Sequence, residues 1–489
     1  MTLAALGICF ACFWNVTSAA ESSGGQTPAL TAAQTKSIDR YVIAEMTRQR
    51  IPGVEIGIYR HGQSVLAKGY GLANVELHVP VQRLTLMQSG SVGKQFTAAA
   101  VMMLVEQGKI GLDDSIAKYF TDAPQSWREI AVKNLLSHTS GLAEYESAER
   151  SGPSGDFYLR LDFTEEQLVS KVERLPTEFK AGDKWVYRNT NYLLLGVIIH
   201  RVAGRFYGDY LHDQIFAPLG MKSTRIISDR DVIPDRAAGY EIEGGVLKNQ
   251  DFVSPTFNST ADGALYFNVV DLEKWDRALY GTTLLTKASL ERMWTPFMLN
   301  DGTVNSAGYG FGWEVGEENG HRVLRHSGAW QGFTCDIDRY VNDGITVVVL
   351  TNLDSDHSNP RNIAKVIAGL VDFRLMPKPA VAIADTDPKI ATLVRTALLK
   401  MIAGEDLTDY FAADAGYQHM PGDAADIKAS LPGTWERGSM VLIRRAEADG
   451  LVTSDYRVGS TGDTRVVTVS TDASGKIHAF SVGADPDNR

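Results

Sequence analysis

The chain has 489 residues, of which 44% are hydrophobic and 22% charged, as in ordinary globular proteins. This length allows roughly two to four domains of typical size, or one large catalytic domain. A net charge of −11 and the lack of a basic run argue against nucleic acid or an anionic membrane as a partner.

The first twenty residues predict a secretory signal peptide, covering residues 1–20. Residues 3–16 are apolar and small residues suited to cleavage follow them, although no Lys or Arg comes before them. The alternative, an anchoring helix, is disfavoured because the run is shorter than the ~20 residues that span a membrane. No later stretch is long and apolar enough either. We therefore expect a secreted or periplasmic protein with no stable membrane span after signal removal. Cys335 is then its one cysteine, which excludes an internal disulfide.

A helix and a β-hairpin are predicted at the start of the mature chain. Residues 38–50 carry apolar side chains at helical spacing. Residues 54–59 alternate as a strand, a Gly-containing turn follows, and residues 64–70 form the second strand.

Ser91 stands at the predicted start of a helix, because the apolar run 98–105 follows it and ends near Gly108. A serine hydroxyl at such a position can accept a free backbone N–H beside the positive end of the helix dipole. Lys94 follows one turn later on the same face. If the apolar run buries Lys94, its amine pKa falls and it becomes a base for the Ser91 hydroxyl.

The chain contains a second Ser-x-x-Lys pair, Ser115 and Lys118. It follows two aspartates and is typical of the start of a short surface helix. We expect Ser115 to be an N-terminal cap and Lys118 to be solvated.

Polar residues in the middle of the chain are placed to flank a cleft. We expect His138 to be a packed, hydrogen-bonded histidine rather than a catalytic one. Residues 143–165 are polar, contain Gly and Pro, and predict a long loop. Tyr187 and Asn189 directly precede an apolar helix over 193–202, so their side chains can project into a site.

Strand patterns dominate from Tyr309 onward and include His326, Gly328 and Ala329. A buried strand over 344–352 and a helix over 361–373 complete the larger unit. The Pro-rich segment 376–380 predicts a domain boundary. Beyond it, a helix over 389–402 and strands at 440–443, 466–469 and 477–480 predict a small α+β domain, residues 381–489, with a weak likeness to NTF2-type modules.

Three clusters occur in a definite order: Ser91-x-x-Lys94, Tyr187-x-Asn189 and His326-x-Gly328. This order resembles the serine β-lactamase and penicillin-binding protein superfamily, and most of all its class C branch with esterases and D-amino-acid peptidases. The resemblance covers residues 30–375. It implies an α/β (α+β) fold for residues 21–376, with an antiparallel sheet flanked by helices and the site between sheet and helical region.

The resemblance also implies roles for the residues of these motifs. Ser91 would be the nucleophile, Lys94 its proton partner, and Tyr187 the group that moves protons to Ser91 and the leaving group. Asn189 would bind Lys94 and the substrate amide, and the N–H groups of Ser91 and Ala329 would form the oxyanion hole. Whether Lys94 or Tyr187 is the general base stays open; Tyr187 needs nearby positive charge to ionise near neutrality. No metal or other cofactor is implied.

His326 departs from the family pattern, which usually has Lys there. An imidazole near Lys94 should be mostly neutral above pH 7, able to hydrogen-bond Tyr187 or Ser91 but unable to anchor an anion. We therefore expect a D-amino-acid peptidase, amidase or carboxylesterase with weak or no β-lactamase activity. The partner would be a small-molecule or peptide substrate, and the oligomeric state stays open. The alternative is a catalytically silent peptide or peptidoglycan sensor.

Overall fold

The computed structural model describes residues 29–355, 358–412, 431, 435, 439–448, 450–460 and 463–485. The predicted signal peptide lies outside the described residues. Among the helices within these ranges, none combines the length and apolar character of a membrane-spanning segment.

The described residues form twelve α-helices, eleven in the larger unit and one in the C-terminal unit. They are α1 Ala32–Gln49, α2 Lys94–Glu106, α3 Val132–Leu136, α4 Ala148–Ser151, α5 Glu165–Val172, α6 Asn189–Ala203, α7 Tyr207–Leu211, α8 Ala217–Leu219, α9 Val269–Ala278, α10 Lys287–Met293, α11 Pro360–Val371 and α12 Pro388–Ala403. Short 3₁₀ turns occur at Gly90–Gly93, Ile116–Tyr119, Gln125–Glu129, Phe257–Ser259 and Phe373–Leu375, and a π turn at His212–Phe216.

The described strands are also numbered in chain order. They are β1 Gly53–Arg60, β2 Gln63–Asn74, β3 Val79–Pro80, β4 Met87–Gln88, β5 Arg225–Ile226, β6 Tyr240–Glu243, β7 Val246–Asn249, β8 Leu265–Phe267, β9 Glu314–Glu318, β10 His321–Trp330, β11 Phe333–Tyr340, β12 Ile345–Thr351, β13 Leu353–Asp354, β14 Ser439–Ala448, β15 Leu451–Ser460, β16 Asp463–Thr471 and β17 Ile477–Ala484.

The larger unit is built on a seven-stranded sheet in the order β3-β2-β1-β12-β11-β10-β9, with every neighbouring pair antiparallel. The predicted hairpin is confirmed as β1 and β2. An antiparallel sheet flanked by helices, with a small C-terminal α+β unit, is the expected fold class, and it is confirmed.

Both faces of this sheet are buried, because successive side chains of a strand point to opposite faces. In β12, Val348 and Leu350 belong to the larger hydrophobic cluster, which includes α2 and α6. Val347 and Val349 belong to a second cluster, formed with α1 and α11 on the other face. The helical region that carries the candidate site therefore packs on one face of the sheet. The first and last helices of the larger unit, α1 and α11, cover the other face.

The C-terminal unit has its own core, formed by one face of α12 and a four-stranded antiparallel sheet β14-β15-β16-β17. Sequence patterns missed β15. Its inward-facing positions include Ser454, which is buried and accepts a hydrogen bond from Arg445 Nε at 3.0 Å. A polar residue at an inward position weakens the apolar alternation that marks a strand. The NTF2 likeness stays a prediction.

Candidate active site

Ser91 lies in the 3₁₀ turn Gly90–Gly93 that leads into α2, and this turn is wedged against β10. A Cβ atom at Gly90 would lie 2.4 Å from the Ala329 nitrogen, and one at Gly328 would lie 2.9 Å from the Ser91 nitrogen. On the other side, a Cβ at Gly263 would lie 2.6 Å from the Gly90 carbonyl carbon. Only glycines permit such close backbone contact. This close contact places the backbone nitrogens of Ser91 and Ala329 near each other.

The expected capping role of the Ser91 hydroxyl is wrong. No side chain caps the 3₁₀ turn or the start of α2. Instead, Lys94 Nζ lies 2.9 Å from Ser91 Oγ. The 3₁₀ turn precedes α2 and places Ser91 before the helix begins. The hydroxyl therefore faces the lysine rather than a free backbone N–H.

Lys94 is fully buried and makes three polar contacts through its amine. Besides Ser91, the nitrogen donates to Asn189 Oδ1 at 2.7 Å and to the Asp262 carbonyl oxygen at 2.5 Å. These two oxygens can only accept, so they take two amine hydrogens and leave the third position facing Ser91 Oγ. A neutral amine held this way directs its lone pair at the hydroxyl hydrogen.

Burial makes this neutral form of Lys94 accessible near neutral pH. Burial lowers the pKa of its amine to about 8, against the opposing effect of Asp262, Glu146 and Glu144. A base with a pKa near the working pH transfers protons well.

The surroundings of Tyr187 do not favour ionisation of its phenol near neutral pH. Lys94 Nζ lies 4.9 Å from the centre of the Tyr187 ring, over its face. Burial raises the pKa of this phenol well above 10, although the Ser91 hydroxyl opposes the shift. Its hydroxyl is buried and makes no hydrogen bond of ordinary geometry, so its interaction with Ser91 does not offset the effect of burial. Tyr187 is therefore a neutral phenol, which makes Lys94 the stronger candidate for the base.

His326 hydrogen-bonds to neither Tyr187 nor Ser91, contrary to expectation. Its Nδ1 lies 2.6 Å from the Ser327 carbonyl oxygen and its Nε2 lies 2.8 Å from the Tyr309 hydroxyl. A carbonyl oxygen only accepts, so Nδ1 carries the hydrogen and Nε2 accepts from Tyr309. Burial lowers the pKa of His326 to about 4, with Glu314 opposing and Lys94 adding to the shift. The imidazole is neutral, as expected, and burial is the main cause.

His138 is buried and packed, in agreement with its expected role. Its ring centre lies 4.2 Å from that of Tyr187, and its Nδ1 accepts from the Arg188 backbone N–H at 3.3 Å. Its backbone has φ +58°, an unusual value for a residue with a side chain. The contact places His138 behind the Tyr187 ring.

Three acidic side chains near Lys94 were not identified as site residues from the sequence. Glu146 and Asp262 line the pocket in front of Ser91, and Glu144 accepts from the Asn189 backbone N–H at 2.6 Å. Two of them lie in the segment 143–165, which was predicted to flank a cleft. Nothing in its local pattern distinguishes Glu144 and Glu146 from solvated surface acids.

The pocket has a volume of about 290 Å³, including its open mouth. Its lining combines the Ser91 turn, two acids, an amide and two aromatic rings: Gly90, Ser91, Glu146, Asn189, Phe257, Asp262, Gly263, Ala264, Ala329 and Trp330. The Trp330 indole N–H donates to Asn258 Oδ1 at 2.8 Å, which holds that wall in place.

The structure brings all the predicted site residues together, because Gly328 and Ala329 of β10 adjoin the Ser91 turn while Asn189 contacts Lys94. Ser115, in contrast, caps the turn Ile116–Tyr119 as expected. Within the described ranges, no group of three or more His, Cys, Asp or Glu side chains is arranged to hold a metal ion. Cys335 is buried and its thiol contacts the Ser89 carbonyl oxygen at 3.0 Å, as a structural residue would.

The family described as beta-lactamase matches residues 38–371 of the chain. Penicillin-binding protein 4* of Bacillus subtilis (strain 168) is 30% identical over 324 residues, which are 62% of this chain and 69% of that protein.

Two solved structures are also similar. The octameric penicillin-binding protein homologue from Pyrococcus abyssi superposes with a TM-score of 0.63 and 26% identity over 89% of this chain and 90% of that one. The D-amino acid amidase from Ochrobactrum anthropi SV3, complexed with L-phenylalanine, gives a TM-score of 0.55 and 25% identity over 65% of this chain and 91% of that one. The first superposition covers more of the chain than the family match does, so it extends beyond residues 38–371.

Proposed function

The chain belongs to the beta-lactamase family, and on that premise we propose that it is a serine hydrolase that forms an acyl-enzyme on Ser91. The observation that carries the proposal is the buried Lys94 amine, held by two obligate acceptors with its third position 2.9 Å from Ser91 Oγ. A sensor on this fold would have no use for a buried, deprotonatable lysine in contact with the serine.

The reaction proceeds in two halves. Neutral Lys94 takes the Ser91 proton as Oγ attacks the substrate carbonyl, and the N–H groups of Ser91 and Ala329 stabilise the oxyanion. The neutral Tyr187 hydroxyl donates a proton to the leaving group and is reprotonated from Lys94. Water then attacks the acyl-enzyme, with Lys94 again as the base, and restores Ser91.

We propose D-amino-acid amides and peptides as the preferred substrates. Glu146 and Asp262 give the pocket acidic groups that attract the free amino group of an aminoacyl substrate. Neutral His326 offers no positive charge for a substrate carboxylate, so β-lactams should be poor substrates. The likeness to a D-amino acid amidase agrees with this choice.

A carboxylesterase is the second candidate, supported by the walls of the same pocket. Phe257 and Trp330 are aromatic, and burial together with Asp262 and Glu144 raises the pKa of Glu146 to about 8. A protonated Glu146 makes the pocket less charged and suits a small neutral acyl group.

Active-site labelling and a substrate panel test these proposals. A fluorophosphonate probe should label the wild type and fail to label Ser91→Ala; absence of labelling in a folded wild type favours the silent sensor. On purified protein, we expect D-alanyl p-nitroanilide and p-nitrophenyl esters to be hydrolysed far faster than nitrocefin. Preference for L-alanyl over D-alanyl p-nitroanilide would contradict the D-specific assignment.

Export is a separate proposal, supported by the apolar run 3–16 and the small residues after it. The mature protein should begin near Glu21. N-terminal sequencing of protein recovered from a bacterial periplasm tests this, and an intact Met1 start contradicts it.

A further inference from the structure

One phenol lies between two carboxyl groups that line the pocket. Tyr145 Oη is 2.7 Å from Glu146 Oε1 and 2.6 Å from Asp262 Oδ2. A phenol has one hydrogen and cannot donate well to both oxygens, so a second hydrogen must lie on a carboxyl group. Asp262 also accepts from the Thr260 hydroxyl at 2.6 Å through its other oxygen. Burial and the charges of Asp262 and Glu144 raise the pKa of Glu146 to about 8, so Glu146 carries this hydrogen below that pH and is ionised above it.

The same glutamate is linked to the nucleophile's base through one side chain. Asn189 donates from Nδ2 to Glu146 Oε2 at 2.5 Å and accepts from Lys94 Nζ on Oδ1 at 2.7 Å. A hydrogen-bonded chain thus runs from Ser91 through Lys94, Asn189 and Glu146 to Tyr145. The pocket that receives the acyl group opens on Glu146 itself.

Several other ionisable groups face this pair. They come from the loop after α3, from α6 and the residues just before it, from the segment before β8, and from β10. They are His138, Glu144, Tyr145, Tyr187, Tyr192, Asp262 and His326. The tyrosines and histidines are neutral near pH 8, because burial raises the phenol pKa values and lowers the imidazole pKa values. Lys94 is therefore a positive group among several acids, with Arg188 close to Glu144, and the pKa of Lys94 and that of Glu146 both lie at about 8.

We propose that Glu146 is a positioning residue that exchanges Lys94 for the amino group of the substrate as its counter-ion. In the free enzyme, an ionised Glu146 favours the ammonium form of Lys94. A substrate cation entering the pocket binds Glu146 instead and repels the Lys94 ammonium, which releases one proton to solvent and becomes the neutral base. Binding of a cationic acyl group thereby activates Ser91. This exchange rests on the proposed function, hydrolysis at Ser91.

A matched pair of esters tests the exchange without a titrating substrate. Phenyl trimethylammonioacetate carries a fixed charge, and phenyl 3,3-dimethylbutanoate has the same shape without it. The acidic limb of kcat/KM reports the free enzyme and that of kcat reports the complex. For the neutral ester the two limbs should coincide; for the cationic ester the kcat limb should lie about one pH unit lower.

Glu146→Gln removes the negative charge that serves Lys94 as a counter-ion until a substrate cation binds. Its free-enzyme limb should move about one pH unit lower, and the gap between limbs for the cationic ester should largely close. The exposed Glu129→Gln is the matched control and should behave as the wild type. Coincident limbs for both esters in the wild type, or an undiminished gap in Glu146→Gln, overturn the proposal.

Calorimetry keeps the test valid if Glu146→Gln does not fold. In Ser91→Ala, binding of the cationic ester at pH 8, measured in two buffers of different ionisation enthalpy, should release roughly half a proton, and the neutral ester none. Equal proton release for both esters contradicts the exchange. If the wild type hydrolyses neither ester and takes no fluorophosphonate label, the proposed function fails instead, so the two failures are distinguishable.

Discussion

The chain carries the same Ser-x-x-Lys spacing twice, and the two copies have opposite surroundings. Lys94 is fully buried, contacts Ser91 Oγ and two obligate acceptors, and has a pKa lowered to about 8. Lys118 is 57% exposed and pairs with Asp114, while Ser115 accepts from the Ala117 backbone N–H. In the first pair the lysine is directed at the serine; in the second, each residue has a separate structural partner.

The sequence spacing places a lysine near a serine in both pairs, but only burial makes the lysine amine reactive. An exposed ammonium with a carboxylate partner keeps its proton, so it cannot deprotonate a hydroxyl. A buried amine whose neighbours take two hydrogens is poised to lose or gain the third.

The serines should differ most. Ser91→Ala should lower turnover of any substrate by roughly 10⁴-fold or more, because it removes the nucleophile. Ser115→Ala should keep turnover within about three-fold, since its hydroxyl only caps a turn. Initial rates on a p-nitrophenyl ester, with circular dichroism to confirm folding, measure both. Equal losses at the two positions would falsify the assignment of Ser91.

The lysines should differ by a smaller factor. Lys94→Gln removes the base but keeps a hydrogen-bonding side chain, and kcat should fall by about 10²–10⁴-fold. Lys118→Gln, at the exposed copy, should leave kcat unchanged. Steady-state kinetics on the same ester compare the two. A Lys94→Gln enzyme with near-normal kcat would transfer the role of base to another group.

The wild-type pH profile should reflect the Lys94 amine. Its active form is the neutral one, and its pKa is about 8, so kcat/KM should rise with pH across this value. From pH 6 to pH 9 the increase should be roughly 90-fold for a neutral ester. A profile that is flat over this range excludes a base with this pKa, whereas a limb near pH 10 points to an unburied lysine.

His326→Lys should change substrate preference by about ten-fold. A positive charge at this position can bind a substrate carboxylate, which neutral His326 cannot. The measurement is the kcat/KM ratio for a matched carboxylate and carboxamide pair from pH 5.5 to 9. His326→Gln, which adds no charge, is the control. An unchanged ratio in the Lys variant shows that this position is not the anion site.

The effects on the stability of the second pair, Ser115 and Lys118, should be the smallest. Ser115→Ala should lower the free energy of unfolding by about 1 kcal/mol through loss of its cap. Lys118→Gln should change it by less than about 0.5 kcal/mol, because exposed ion pairs contribute little. Urea denaturation monitors both. A destabilisation of several kcal/mol by Lys118→Gln would show that this lysine is not a solvated surface group.

Local patterns predicted the elements that their own side chains stabilise. The β1–β2 hairpin, the helix after Ser91 and the buried strand β12 follow from alternating or helical apolar spacing. β15 was missed because Ser454 occupies an inward position and interrupts the apolar alternation. The Ser91 capping role failed for a similar reason: an intervening 3₁₀ turn, which spacing does not reveal, directs the hydroxyl to Lys94.

From the sequence, the order of the three motifs indicated the fold class through a family resemblance and identified Ser91, Lys94, Tyr187 and Asn189 as candidate site residues. How the charges of these residues behave depends on the folded structure. The partners of Lys94 include Asp262, 168 residues away along the chain, and His326 hydrogen-bonds to Tyr309 across separate segments. A pKa depends on desolvation and on charges within a few ångströms. Those neighbours are assembled by folding, so the chemistry of the site follows from packing, not from spacing.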